Sequence, residues 1–189
     1  MGLIGTSNII LNYDDNQKYI LAVGRLEETQ KDFTALLNAY SLIYKNIDEK
    51  LYILGDGRHR EQLEKYANSL GLDENVVFLG FKINPYVWIK NASLFVHSSK
   101  FEGLPTVLIE AMILKKPIVA TDCPTGPREI LENGQNGILT QAGNFQDLAN
   151  GIKNILINKE LKESYLLKSE KSIVRFDGKV VIKQLENLF

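Results

Sequence analysis

Short apolar runs rich in β-branched residues alternate along this chain with longer segments whose apolar positions recur at helical spacing. The runs at 19–23, 50–54, 76–79, 94–97, 117–120 and 137–139 read as strands. Helical patterns occupy 33–45, 58–70, 85–91, 106–115 and 127–132, then 145–157, 159–175 and 178–188. Apolar strands alternating with amphipathic helices imply a parallel sheet covered on both faces. The expected class is therefore α/β: a three-layer, Rossmann-like domain of about six parallel strands, with a C-terminal helical tail. Residues 1–18 read as a lead-in or linker, 19–158 as the domain, and 159–189 as helices that pack on it or on a domain outside this chain.

In open parallel sheets, ligands bind beyond the carboxyl ends of the strands. The glycines and charges gather in those loops: Gly24-Arg25, Gly55-Asp56-Gly57, Gly80-Phe81-Lys82, Glu102-Gly103-Leu104-Pro105 and Thr125-Gly126-Pro127. Tight turns explain any one of them. Their common edge points instead to a nucleotide site.

The segment 98–112 carries the most chemistry. It leaves a strand, turns through Gly103 and Pro105, and starts a helix near Thr106. The first N–H groups of a helix lack internal partners and sit at the positive end of its dipole, which suits a phosphate. Glu102 lies in the turn, and Glu110 follows Thr106 by one helical turn on the same face. Carboxylates repel phosphate but accept hydrogen bonds from sugar hydroxyls, so the pair suits a sugar–diphosphate–ribose ligand. The plainer alternative makes Glu110 a favourable acid early in a helix and Glu102 a solvated loop residue.

Composition narrows the field. The 189 residues are 44% hydrophobic and 24% charged, the balance of a globular domain, and the net charge of −1 gives no field to attract nucleic acid. The single cysteine, Cys123, forms no internal disulfide, and with two histidines it leaves little for a structural zinc site. A reducing cytoplasm is the expected setting. No apolar run approaches the roughly 18 residues that span a bilayer, and the N-terminus lacks a signal-peptide pattern. Peripheral membrane association through another domain stays open. His97, ending a strand at the ligand edge, reads equally as a sugar contact or a buried polar residue. His59 reads as solvated, Trp88 and Tyr86 as core or sheet cover, and Glu129 as a brace for the Gly126 loop.

Glu102 and Glu110 stand with seven residues between them inside Glu-Gly-Leu-Pro…Glu-Ala-Met. Around them are Val23-Gly24-Arg25-Leu26, Leu54-Gly55-Asp56-Gly57, Val77-Phe78-Leu79-Gly80, the run Lys116 to Asp122, and Gly126-Pro127-Arg128-Glu129-Ile130. In these motifs the chain, from about 19 to 157, resembles the C-terminal, donor-binding domain of the family-four retaining glycosyltransferases of GT-B fold. The last motif is similar to the version in bacterial members that build surface polysaccharides and protein-linked glycans.

The resemblance implies hexosyl transfer, with retention, from a nucleoside-diphosphate sugar to a glycan or lipid-linked acceptor held by an absent N-terminal domain. A UDP-sugar is the preferred donor, no metal or other cofactor is required, and this chain alone is expected to be inactive. Glu102, Arg25 and Lys31 form the implied catalytic set: Glu102 on the sugar hydroxyls, the two cations on the diphosphate leaving group. Glu110 is implied to hold the ribose. Backbone N–H groups around Gly103, Leu104, Thr106 and Val107 would seat the sugar and distal phosphate, Gly24 and Pro105 would also line the substrate site, and the main chain near Phe81 and Lys82 would meet the base. One departure stands out. The family usually has three residues between Gly-Arg-Leu and its lysine, whereas here Glu27, Glu28, Thr29 and Gln30 precede Lys31, which is then displaced or restored by a bulge. A nucleotide-sugar 2-epimerase and a non-catalytic nucleotide-binding module are the alternatives. A Rossmann dehydrogenase is disfavoured, because the first strand leads to Gly24-Arg25-Leu26 and not to Gly-x-Gly-x-x-Gly.

Overall fold

A computed structural model describes residues 17–178 of the chain. Its strands are β1 (Tyr19–Val23), β2 (Lys50–Leu54), β3 (Val76–Gly80), β4 (Leu94–His97), β5 (Ile118–Asp122) and β6 (Ile138–Gln141). All pair in parallel, in the order β3-β2-β1-β4-β5-β6. The helices are α1 (Glu28–Lys31), α2 (Phe33–Ile43), α3 (Arg60–Ser69), α4 (Tyr86–Asn91), α5 (Thr106–Ile113), α6 (Pro127–Ile130), α7 (Phe145–Ile157) and α8 (Lys159–Ser172).

The period-two alternation of a strand explains the three layers. Ile20 and Ala22 of β1, Leu51 and Ile53 of β2, and Leu94 and Val96 of β4 pack in one buried cluster with Leu36, Leu37 and Tyr40 of α2, Leu63 of α3 and Ile152 of α7. Their neighbours Tyr19, Leu21, Phe95, Ile118 and Ala120 point the other way, into a second cluster with Trp88 and Ile89 of α4, Leu108 and Met112 of α5 and Ile130 of α6. A sheet apolar on both faces must bury both. The expected α/β class and strand number are present, as are the helices expected up to residue 172.

The differences lie at element ends. β5 and β6 run on through Thr121–Thr140 and Asp122–Gln141 pairs, because ladder hydrogen bonds continue where the apolar pattern has stopped. The helix expected over 33–45 gives way to a 3-10 turn at Tyr44–Asn46, and that over 159–175 to one at Ile173–Phe176. α1 has no counterpart among the expected elements, since four polar or charged residues carry no apolar period. The helix expected at 178–188 lies outside the described residues but for Gly178. α8 buries only Ser169, whose hydroxyl donates to the Asn136 carbonyl at 3.0 Å, and Arg175 donates to the carbonyls of Glu129 and Ile130. Polar contacts thus tie residues 159–176 to the α6 side of the domain, while Leu161 and Tyr165 pack on the first cluster and Ile173 and Phe176 on the second. Among the described residues no helix is long and apolar enough to cross a membrane.

The strand order reverses direction between β1 and β4, so the loops leaving these two strands part and open a crevice at the carboxyl edge.

Candidate functional site

The crevice is built first by α1. The chain leaves β1 with Leu26 N–H on the Asp56 carbonyl (2.9 Å), then makes one helical turn in which Lys31 N–H reaches the Glu27 carbonyl at 2.8 Å. Asp32 ends that turn in the left-handed region, φ 49°, and its carboxylate caps α2 at Ala35 N (3.3 Å). Left-handed backbone is tolerated by aspartate better than by most residues. The Glu28 carboxylate braces the same corner, accepting from Phe33 N, Thr34 N and the Thr34 hydroxyl. The residues between Leu26 and Phe33 thus form a short helix that ends in a left-handed corner, with no strand bulge.

Two hydrogen bonds stitch this turn to the exit of β4. Lys100 N–H donates to the Gln30 carbonyl at 2.8 Å, and the Ser98 hydroxyl to the Lys31 carbonyl at 2.7 Å. Gln30 and Lys31 thus stand side by side opposite Glu102. Lys31 Nζ lies 2.5 Å from Glu102 Oε1, and Gln30 Nε2 donates to Oε2 at 3.2 Å. Oε1 also accepts from the Ser99 hydroxyl at 2.6 Å and meets His97 Nε2 at 3.2 Å. Ser99 is fixed in turn, its carbonyl accepting from the Thr121 hydroxyl at 2.5 Å. Glu102 is hardly a solvated loop residue: only 8% of its side chain is exposed.

The electrostatics follow from those partners. Burial alone would raise the Glu102 carboxyl, but the bonds from His97, Lys31 and Ser99 outweigh it and hold the group at about 2. The group is a carboxylate at neutral pH. Burial pushes His97 down despite its bond to Glu102. A neutral ring facing a carboxylate must carry its proton on Nε2. The buried Nδ1 then has only a lone pair to offer, and it has no partner among the described residues.

Beyond Glu102 the chain turns into α5. Gly103, Leu104 and Thr106 are exposed, Val107 is half-buried, and no side chain caps the helix. The N–H groups of Gly103, Leu104, Thr106 and Val107 have no protein partner among the described residues. Pro105 is buried. Gly126, at φ 90°, is pressed on this turn so closely that a Cβ would collide with the Pro105 ring and stand 2.7 Å from the Gly103 carbonyl oxygen. The Thr125 hydroxyl donates to the Glu102 carbonyl. The turn is held from behind and open in front. Glu110, half-buried one turn in, has no side-chain partner among the described residues.

On the other side of Lys31 lies a cavity of about 400 Å³, lined by Val23, Gly24, Arg25, Leu54, Gly55, Asp56, Phe81, Lys82 and Pro85. The stem of Lys31 runs over Gly24: a Cβ there would lie 3.5 Å from Lys31 Cδ. Arg25 is exposed at the lip and has no partner among the described residues. Phe81 is 72% exposed, while Lys82 leans its ammonium over the Trp88 ring, 6.0 Å from the centroid. A larger open depression, about 620 Å³, is lined by Thr125, Arg128, Glu132 and Arg175 among others. Its guanidiniums are engaged by Asp122 and by backbone carbonyls, so it has less to offer an anion. No group of three or more His, Cys, Asp or Glu side chains gathers among the described residues as a metal site would require.

The structure therefore joins Glu102 to Lys31, and Gly24 and Arg25 to Phe81 and Lys82, in adjoining parts of one crevice. Sequence reasoning missed Gln30 and Ser99, and left His97 undecided. It misread His59, which is half-buried: its Nδ1 is 3.4 Å from Glu28 N and its backbone N–H is bonded to the Leu26 carbonyl, so it helps hold the β1 exit. Trp88 is core, whereas Tyr86 is exposed, and Glu129 shows its side chain to solvent without bracing Gly126.

Comparison with known proteins bears directly on this arrangement. Residues 6–171 match the family described as "Glycosyl transferases group 1". The chain is 34% identical over 160 residues to the N-acetylgalactosamine-N,N'-diacetylbacillosaminyl-diphospho-undecaprenol 4-alpha-N-acetylgalactosaminyltransferase of Campylobacter jejuni, covering 85% of this chain but 43% of that protein. Among solved structures it is similar to a Staphylococcus aureus TarM mutant in complex with Fondaparinux, alpha-GlcNAc-glycerol and UDP. The TM-score is 0.82 at 28% identity, over 91% of this chain and 35% of that one. Anabaena HepE in complex with UDP gives 0.81 at 26% identity, over 92% and 48%. The chain thus spans less than half the length of these relatives.

Proposed function

The chain belongs to the group 1 glycosyl transferases, and from that premise we propose that it is the donor-binding unit of a hexosyltransferase. The donor is a nucleoside-diphosphate sugar, UDP-linked first, and the acceptor a glycan or lipid-linked glycan seated on a second domain. Transfer proceeds with retention, and this chain alone does not turn over. UDP in two similar structures, and an undecaprenol-linked acceptor in one relative's name, support the choice of base and acceptor class. The full protein works at the cytoplasmic side, associating peripherally with the membrane where its acceptor is lipid-linked.

One observation carries the reading: a fixed carboxylate, Glu102, holds the ammonium of a lysine whose stem passes beside Gly24, in the wall of a cavity sized for a nucleoside, next to an uncapped helix start. The base lies against Phe81 and the backbone at Lys82, the ribose reaches Glu110, and the diphosphate lies between Arg25, Lys31 and the free amides from Gly103 to Val107. As the glycosidic bond breaks, negative charge grows on the departing diphosphate. The Lys31 ammonium, held by Glu102, and the amide dipoles are already oriented to receive it, Arg25 reaches it from the lip, and they do so without a divalent ion. An ammonium has three donors, so Lys31 keeps Glu102 while offering two protons to phosphate. Titration calorimetry of the chain with UDP and GDP tests the proposal. Binding in the micromolar to millimolar range, tighter for UDP, is expected, and an absence of heat or chemical-shift change with millimolar nucleotide overturns it.

A further inference from the structure

Glu102 does not present two equivalent oxygens. Oε1 is crowded by three partners, Lys31, Ser99 and His97, whereas Oε2 is met by Gln30 alone. A carboxylate oxygen accepts about two strong hydrogen bonds in its plane, so Oε1 has little left to give a ligand and Oε2 has a lone pair to spare. Any sugar hydroxyl read by Glu102 must therefore come to Oε2, and there it meets Gln30.

We infer that Gln30 is a second sugar-reading residue, which together with Glu102 Oε2 recognises two neighbouring hydroxyl or acylamino groups on the donor's hexose. The inference rests on the donor-site reading above and adds a residue to it. Glu102, being acceptor-only, turns the carboxamide so that Nε2 faces it. The carboxamide oxygen and the second N–H of Gln30 have no partner among the described residues. They offer an acceptor and a donor beside the acceptor at Oε2. Gln30 is also placed rigidly: its carbonyl takes Lys100 N–H at 2.8 Å and its N–H reaches the Glu27 carbonyl at 3.2 Å, on a turn closed by the left-handed corner at Asp32. A side chain on a fixed backbone, half-buried with open valences at the sugar end of the crevice, discriminates between epimers; a mobile one does not.

The test separates sugar from nucleotide. Affinities of the chain for UDP, UDP-glucose, UDP-galactose, UDP-GlcNAc and UDP-GalNAc are measured by calorimetry, and the sugar increment is the ratio of each to UDP. For at least one sugar the increment exceeds one, and Gln30→Ala cuts it about three- to tenfold while leaving UDP unchanged. Gln30→Glu, which puts a second carboxylate against Glu102, changes the ranking of the sugars. If the wild-type increment exceeds one and Gln30→Ala leaves it intact, the inference fails while the donor-site reading stands. If UDP binds but no sugar adds to it, the sugar role of Glu102 falls and Gln30 falls with it; if UDP does not bind, the donor-site reading itself has failed. Unaltered thermal unfolding of Gln30→Ala excludes a folding artefact.

Discussion

The backbone of Gly55 runs against the carbonyl oxygen of Gly24 so closely that no side chain fits between them. Gly55 stands at φ 142°, a conformation that L side chains rarely adopt, and its N–H is bonded to the Gly80 carbonyl at 3.0 Å while Gly24 N–H takes the Leu54 carbonyl at 3.0 Å. Three strand ends are thereby laced into the cavity wall.

Gly55→Ala must push this wall apart. We expect a loss of about 1–3 kcal/mol in urea unfolding and a matching loss of UDP affinity. Gly143→Ala is the control: Gly143 also has positive φ, 75°, but nothing lies within 4 Å of its added Cβ. It loses only the backbone cost, about 1 kcal/mol, and binds UDP normally. Equal destabilisation by both would show that the contact with Gly24 is unimportant.

Arg25 is exposed at the cavity lip without a protein partner among the described residues, so its removal leaves the fold alone. Arg25→Ala is expected to change stability by less than about 0.5 kcal/mol and to weaken UDP about tenfold or more, with uridine almost unaffected. An equal loss for uridine and UDP would remove Arg25 from the diphosphate.

The acid limb of stability reports the Glu102 cluster. Held at about 2 when folded against 4.5 unfolded, Glu102 binds fewer protons in the native state, so its contribution is complete above pH 4.5 and disappears as pH falls toward 2. The size is about 3 kcal/mol. His97, also pushed down on folding, acts in the same direction: stability begins to fall once the unfolded chain's histidine protonates, below about 6.5. Chemical denaturation from pH 8 to pH 2 should show Glu102→Gln less stable than the parent at pH 7, with the two curves converging toward pH 2. Parallel curves would mean that the carboxylate is not held as described.

Much of this was legible in the sequence because burial is periodic. Six apolar runs named the strands, and glycine positions at their ends marked the edge where the crevice opens. The turn through Gly103 and Pro105 marked the helix start near Thr106. The features that escaped have no periodic signature. Gln30 and Glu102 meet across 72 positions through one hydrogen bond. α1 is made of four polar or charged residues, and its helical turn exists because Glu28 and Asp32 bind the first amides of α2. Counting residues from Leu26 to Lys31 makes the lysine look out of register. A residue count cannot show the left-handed corner at Asp32 or the 2.5 Å approach of the lysine's ammonium to Glu102. His59 looks solvated because charged neighbours flank it, yet its backbone and Nδ1 face inward to the β1 exit.

The two glutamates separate by what each holds now. Glu110 holds nothing among the described residues, so Glu110→Ala leaves stability within about 0.5 kcal/mol. If it grips the ribose, UDP and UDP-sugar weaken together, about tenfold, and the sugar increment is unchanged. Glu102 restrains Lys31 at 2.5 Å. Glu102→Ala therefore abolishes the sugar increment but frees the ammonium to give all its protons to phosphate, so UDP alone binds as tightly as before or tighter. In the full-length enzyme both variants lose transfer, Glu102→Ala by at least about a hundredfold in kcat and Glu110→Ala mainly through KM for the donor. Should Glu102→Ala weaken bare UDP as much as Glu110→Ala does, the division of the crevice into a sugar end and a nucleoside end is wrong.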